Sequence, residues 1–382
     1  MAPVQTFSIR PFEPPVDAAA VRAEVRAFLA KHQPKGDAAS RCNCWAVGDP
    51  DFTKALGRAG YIGMIWPKRY GGHERHPLER YIVLEELLAA GAPVGMHWIA
   101  DRQGGPLLLR YGSEAQRQQL LPRMAAGELY TCIGMSEPGS GSDLASVRTR
   151  GERVSEGWRV NGQKVWTTNA HNADYMIALV RTGEGSQRQE GLTQFLIDMK
   201  APGVVVRPII DLVGGHDFNE VFLEDVLVAD DMRVGEEGAG WKQVTAELSL
   251  ERSGPERYLS SYALLVEFIR LAGAEPSPAL AATIGQLTAE LWTLRHMSRS
   301  TAAKLAAGED PALEAAIVKD LGNSFEQNLP RVVQAISDVD LSADSDFARA
   351  LALLLQVSPS FSLRGGTREI LRGIIARGLG LR

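Results

Sequence analysis

The apolar spacing of this chain changes twice, and those two changes limit the folds open to it. Up to about residue 127 the apolar residues recur at helical spacing. Val21, Val25, Phe28 and Leu29 follow Asp17, a helix N-cap residue. Tyr81, Leu84, Leu87 and Leu88 repeat the pattern, and Ser113 with Gln116 forms a capping box ahead of Leu120 and Leu121. The turn-rich stretch GYIGMIWPKRYGG (Gly60–Gly72) connects them. From Glu128 the runs shorten and alternate: WRVNGQKVW, ADYMIALVRT, LTQFLIDM, GVVVRPII and EVFLEDVLV, each bounded by Gly, Pro or Asp. Such spacing predicts antiparallel strands in a small sandwich or barrel rather than βαβ units, with a hairpin turn at Asn161-Gly162. The helical period returns from Gly240, over 241–273, 278–307 and 311–336. A last helix is predicted from an N-cap at Thr367, with Ile370, Leu371, Ile374 and Ile375 on one face.

At 382 residues and 45% hydrophobic content the chain buries a sizeable core, in two or three packed units. A net charge of -5 gives no electrostatic case for nucleic acid. No apolar run approaches the roughly 20 residues of a membrane-spanning helix. The N-terminal residues lack the basic-then-apolar pattern of a secretory signal, so the expectation is a cytoplasmic protein with no membrane span. Cys42, Cys44 and Cys132 suggest free thiols: the Cys-x-Cys pair has no second pair or nearby histidine to complete a metal site. None of the seven histidines sits in a His-Glu-x-x-His pattern, and no metal is expected.

Two segments carry candidate chemistry. In CIGMSEPGSGSDLAS (Cys132–Ser146), Gly139 and Gly141 alternate with Ser140 and Ser142, a turn able to offer backbone N–H groups to anionic oxygens. It is neither a Walker A loop nor a Rossmann fingerprint, and by itself it is only a loop. In KVWTTNA (Lys164–Ala170), a tryptophan and two threonines at a strand end can wall an aromatic ring and hydrogen-bond to it. Alone, a core tryptophan with β-branched neighbours is the simpler reading.

Taken in order, EPGSGSD, KVWTTNA, PGVVVRPI, EVFLEDVLV, GEEGAGWK, LSLER and GGTREILRGIIARGLGL resemble the acyl-CoA dehydrogenase family across nearly the whole chain. The resemblance implies an α+β fold: a helical N-terminal domain (1–127), a central antiparallel β-domain (128–236) and a C-terminal four-helix bundle (237–382). It implies FAD held between β-domain and bundle. Met135, Ser136, Gly141 and Ser142 are then expected along the flavin and the CoA end of the substrate. Trp166 would flank the isoalloxazine, with Thr167 beside it and Thr168 hydrogen-bonding near N5. Gly366, Thr367, Arg368 and Glu369 would approach the flavin from the start of the last helix, where unpaired N–H groups favour electron-rich atoms.

The reaction implied is α,β-dehydrogenation of an acyl-CoA thioester to the trans-2-enoyl-CoA, as in fatty acid metabolism. Many family members place the base immediately before the Gly-Thr that opens the last helix; here that residue is Gly365. The alternative family position is a Glu-Arg pair on the first long helix of the bundle, which Glu251 and Arg252 supply. Glu251 is therefore the expected base. Ser142, Arg252 and Gly365 are the expected substrate contacts, the backbone around Gly365 binding the thioester carbonyl. Pro255 removes the helical hydrogen bond to the Glu251 carbonyl and predicts a kink, with Ser253 and Gly254 leaving room for a branched or bulky acyl group. Trp98 and Trp241 either line the pocket or pack the core, and core packing is the expectation.

Two family segments are missing. RLAGAEPSPALAATIGQ stands where an Arg-x-x-Phe-Gly stretch reaches a neighbour's FAD, and VVQAISDVDLSADSDF replaces a Gly-Gly-x-Gly-Tyr stretch. The adenosine half of FAD must be held differently, held weakly, or completed by another chain. Three readings follow. The first, and the expected one, is a homodimeric or homotetrameric dehydrogenase passing electrons to an electron-transfer flavoprotein. The second is one subunit of a heteromer with a paralogue. The third is an oxidase or monooxygenase on the same fold.

Overall fold

A computed structural model describes residues 7–10, 16–183, 188–250 and 252–381. The chain divides into two compact units that do not follow chain order. A sheet unit holds Ala46–Arg75 and Val94–Leu248; a helical unit holds the segment up to Trp45, His76–Pro93, and everything from Ser249 onward. The N-terminal helices are thus shared: Ala18–Lys31 and Pro77–Ala89 pack within the helical unit, while Pro50–Arg58, Gly105–Tyr111 and Glu114–Ala125 belong to the sheet unit.

The sheet unit has eight strands: β1 (Thr131–Gly134), β2 (Arg150–Val154), β3 (Gly157–Lys164), β4 (Tyr175–Arg181), β5 (Leu192–Asp198), β6 (Val204–Ile209), β7 (Phe218–Val228) and β8 (Arg233–Val234). They are ordered β6-β7-β3-β2-β4-β5-β8, with β1 added against β4. Period-two alternation assigns the faces. Met176, Ala178, Val180, Phe195 and Ile197 pack with Trp158, Val221, Leu223 and Val226 on one side. Ile177 and Leu196 point the other way, onto Leu107, Leu108, Leu120, Leu121 and Met124 of the covering helices. Gly60–Gly72 is no bare connector: Trp66 and Tyr70 lie in that same helix-side core, and Tyr70 Oη donates to Glu114 at 2.7 Å.

Two expectations change here. The sheet is mixed rather than purely antiparallel, because β1 runs parallel to β4. Asp174 starts that pairing: its carboxylate accepts from the Tyr130 N–H and its own N–H donates to the Tyr130 carbonyl, both at 2.9 Å. Asn161-Gly162 is no hairpin turn. The β2–β3 turn is at Ser155-Glu156, and Asn161-Gly162 forms a register shift inside β3 against β7. Asn161 exchanges hydrogen bonds with Asp225 of β7, and Gly162 sits at φ +156° against Thr149, where a Cβ would collide with main chain.

The caps at Asp17, Ser113 and Thr367 form where the sequence puts them. The predicted stretch 241–273 breaks more severely than a kink. A helix spans Gly240–Leu250, a 3-10 turn follows at Pro255–Arg257, and helix restarts at Tyr262–Ala272. The side chains of this break are buried, Glu256 and Arg257 among them. Pro278–Ala306 and Ala312–Ile336 are continuous, and the unpredicted helix Asp346–Val357, capped by Ser345, packs on Tyr262–Ala272. On the last helix, Arg368–Gly378, Leu371 is buried whereas Ile370 is exposed. Trp98 is buried under Arg102, and half-buried Trp241 packs with Val147, Leu179 and Val244.

Candidate active site

In the sheet unit, one buried ion pair organises both candidate segments. Lys164, at the end of β3, has no solvent exposure, and its ammonium donates to Glu137 Oε1 at 2.9 Å, the Met135 carbonyl at 3.2 Å and the Leu179 carbonyl at 2.7 Å. Those three acceptors match the three donors of an ammonium. Glu137 in turn accepts from the N–H groups of Arg148 (2.6 Å) and Thr149 (2.9 Å). Burial pushes the Glu137 carboxyl up, but the Lys164 charge and these donors outweigh it and hold the carboxyl below its usual range. Burial pushes the Lys164 ammonium down to about 8. The pair is therefore charged at neutral pH.

The Gly/Ser turn closes over this pair. Glu137 and Ser140 exchange backbone hydrogen bonds at 2.8 and 3.0 Å, and the Ser140 hydroxyl donates to the Asp143 carbonyl at 2.8 Å. Gly141 and Ser142 are left exposed, and a Cβ on Gly139 or Gly141 would meet nothing. The second segment lies alongside, because the Val165 N–H donates to the Ser136 carbonyl at 2.9 Å. Met135, Ser136, Gly141, Ser142 and Trp166–Thr168 are brought together in this way.

Trp166 is the unusual residue of the group. It takes a left-handed backbone, φ +59°, yet leaves its indole 59% exposed against the edge of Phe218. An exposed bulky ring in a disfavoured conformation costs stability and points to use elsewhere. Thr167 next to it is wholly buried and paired with Asn219 through both backbone directions (3.0 and 3.1 Å). Thr168 is half-buried.

In the helical unit the candidate residues gather at the start of the last helix. Gly365 and Gly366 both take left-handed φ, +61° and +103°. Thr367 caps the helix, its Oγ1 accepting from the Ile370 N–H at 3.5 Å. A Cβ on Gly366 would lie 3.9 Å from Arg252 Nη2, so Arg252 reaches the diglycine turn. Glu369 is exposed, its carboxyl held low by its own N–H and the Thr367 hydroxyl. Arg368 turns to Asp320 (3.2 Å), Ser324 and Gln327, pinning this helix to Ala312–Ile336. Glu251 lies outside the described residues. The expected room beside Gly254 is filled by the Glu256 carboxylate, and Ser253 is buried with its carbonyl bonded by the Ser298 hydroxyl.

Comparison with known proteins decides what this arrangement belongs to. Residues 16–128 match the acyl-CoA dehydrogenase N-terminal domain and residues 132–226 the acyl-CoA dehydrogenase middle domain. The chain belongs to the acyl-CoA dehydrogenase family. The acyl-CoA dehydrogenase IpdE1 of Mycobacterium tuberculosis is 35% identical over 342 residues, 86% of this chain and 87% of that protein. The Tcur3481–Tcur3483 steroid ACAD is 26% identical, covers 97% of this chain and 99% of its own, and superposes with a TM-score of 0.86. The ChsE4–ChsE5 complex from Mycobacterium tuberculosis is also 26% identical, with a TM-score of 0.81 over 98% of this chain and 99% of that one. This acyl-CoA dehydrogenase is thus an oxidoreductase of acyl-CoA thioesters. Among its described residues no helix is long and apolar enough to cross a membrane.

Sequence reasoning missed the buried charges of this dehydrogenase. Glu137 sits in the Cys132–Ser146 segment, but nothing in the sequence marks Lys164 as its partner. Lys319, in AAIVKDLG, looks like an ordinary solvated helix residue, yet it has no exposure and its Nζ donates to the Gly366 carbonyl at 2.7 Å.

Proposed function

We propose that this chain removes two hydrogens from Cα and Cβ of an acyl-CoA thioester to give the trans-2-enoyl-CoA, with Glu251 as the base. The α C–H bond gives its proton to the Glu251 carboxylate, the β C–H bond leaves with its electron pair, and a C=C bond forms. Bound FAD would supply the hydride acceptor. The observation that carries the assignment of the base is Arg252 beside Gly366: the residue adjoining Glu251 in the chain reaches the turn that lacks the family's other base. The backbone of that turn would bind the thioester carbonyl, and the helix behind it favours developing negative charge.

The residues present fit FAD. Trp166 offers an exposed ring face held in a strained backbone, with half-buried Thr168 close by in the chain, and Gly139, Gly141 and Ser142 of the neighbouring turn are exposed. Met135, Ser136, Gly141, Ser142, Trp166, Thr167 and Thr168 are the proposed cofactor contacts, with Gly366, Thr367 and Glu369. Ser142, Arg252 and Gly365 would contact substrate. Electrons would leave to an electron-transfer flavoprotein, in the cytoplasm.

For the assembly, a heteromer with a paralogous chain is favoured over a homo-oligomer. Its support is specific: the matched Tcur3481–Tcur3483 and ChsE4–ChsE5 structures are each named for two proteins, and this chain lacks two family segments that contact FAD. The steroid class named for the first suggests a bulky acyl group. Anaerobic addition of straight, branched and steroid-derived acyl-CoA thioesters to the flavin-loaded protein tests the reaction. Bleaching of the flavin with formation of the enoyl-CoA is expected; no bleaching with any class, or peroxide release in air at the same rate as turnover, would overturn it.

A further inference from the structure

Residues 252–261, between two helices, are not α-helical, so their backbone groups need other partners. In an unbroken helix the Arg257 N–H would donate to the Ser253 carbonyl; here it donates to the Gly254 carbonyl at 3.1 Å. The Ser253 carbonyl accepts instead from the hydroxyl of Ser298, on the helix Pro278–Ala306. Ser253 is two residues past Glu251 in the chain.

Ser298 is the last member of a chain of hydroxyls, each with one proton to donate. The Ser298 proton goes to Ser253, so in the 2.9 Å contact with Tyr81 the phenol is the donor. That uses the Tyr81 proton, so in the 2.8 Å contact between Tyr81 and Tyr258 the donor is Tyr258. The order is therefore Tyr258 to Tyr81 to Ser298 to the Ser253 carbonyl, and all four residues are buried. Burial pushes both phenols above their usual range, so both keep their protons at neutral pH. Hydrogen bonds running in one direction strengthen one another. Both ends of the chain lie on the same interruption, Ser253 near its start and Tyr258 past its 3-10 turn. The two helices that carry Tyr81 and Ser298 are themselves locked one turn away, where Arg295 donates to Glu85 at 2.6 and 2.9 Å.

We propose that Ser298 is a positioning residue for the base, with Tyr81 and Tyr258 acting behind it: the directed hydroxyl chain fixes the segment that follows Glu251 against the helices Pro77–Ala89 and Pro278–Ala306, and so sets where the carboxylate meets the α-proton. This rests on the assignment of Glu251 made above. None of the three hydroxyls needs to touch substrate.

The test uses flavin-loaded protein, with its partner chain where one is required, and the acyl-CoA thioester that bleaches it fastest. Wild type, Ser298→Ala, Tyr81→Phe and Tyr258→Phe are compared, each also combined with Glu251→Gln. Misplacing a reacting group by about 1 Å costs up to about 100-fold, so Ser298→Ala should slow anaerobic bleaching by about 10- to 100-fold. Tyr81→Phe should cost less and Tyr258→Phe least, because they leave the Ser298–Ser253 bond in place. The Kd of the enoyl-CoA should move less than about threefold. In the Glu251→Gln background Ser298→Ala should slow the residual rate less than about threefold, since a device that works through the base has nothing left to position. A wild-type rate in Ser298→Ala, or the same loss with and without Glu251, overturns the proposal. Should Ser298→Ala fail to fold, Tyr81→Phe, which removes a single oxygen, carries the same comparison. Hydrogen exchange of residues 252–261 in flavin-free protein gives a second readout: exchange should rise in Ser298→Ala and Tyr81→Phe, and an unchanged rate contradicts the anchoring. A Glu251→Gln variant that bleaches at the wild-type rate would instead sink the assignment of the base, whatever the hydroxyl variants do.

Discussion

At the scale of single residues, Trp166 and the Glu137–Lys164 pair make opposite predictions for stability. Trp166 is exposed and left-handed, so Trp166→Gly should leave the melting temperature unchanged or slightly raised, relief of backbone strain being worth about 1 kcal/mol. The same change should weaken flavin retention, measured by fluorescence of released FAD; unchanged retention would remove Trp166 from the cofactor site. Lys164→Met strands the Glu137 carboxylate in a buried site and should cost about 3–5 kcal/mol by urea unfolding. The pH dependence has a definite sign. Glu137 is held below its usual range, so its contribution is full above the unfolded carboxylate pKa and is lost as pH falls through the folded one. Glu137→Gln should therefore be less stable than wild type at pH 7, with the gap closing below about pH 4. A gap that stays constant down to pH 3 would mean the carboxylate is not held low.

At the scale of elements, the caps were legible and the interruptions were not. Asp17, Ser113 and Thr367 cap as read because an N-cap needs only its own hydroxyl or carboxyl and an N–H two or three residues on. Asn161-Gly162 is ambiguous in sequence because the same dipeptide serves a turn or a bulge, and the choice is made by Asp225, far along the chain on β7. Pro255 signalled an interruption at Glu251–Pro255, but its extent depends on buried partners such as Ser298 and Glu326, which bind Ser253 and Ser260. The candidate loops were legible through motif order. Lys164, Lys319 and Arg364 were not, since a lysine in a strand or helix, or an arginine in a turn, looks solvated until its partner is known. Arg364→Ala tests one of them. It leaves Glu326 buried without its ion pair and empties the space between Trp45 and Phe361, so a loss of about 3–5 kcal/mol is expected. A loss below about 1 kcal/mol would show the clamp to be incidental.

At the scale of the whole molecule, the order helices, sheet, helices was readable, but not that the N-terminal helices divide between two units. That division rests on contacts distant in sequence: Glu85 of Pro77–Ala89 receives two hydrogen bonds from Arg295, at 2.6 and 2.9 Å, and burial of this carboxyl is outweighed by that arginine. The heteromer reading predicts that the chain purified alone carries little flavin and that co-purification with a paralogous family member restores it; full flavin content in the lone chain would favour the homo-oligomer. The central claim is dehydrogenation with Glu251 as base, and the most direct measurement is anaerobic single-turnover bleaching of flavin-loaded wild type and Glu251→Gln by the best acyl-CoA. The account predicts that wild type bleaches and that the variant, with flavin content and substrate affinity retained, slows by at least about 100-fold. A variant that bleaches at the wild-type rate would contradict it and place the base elsewhere.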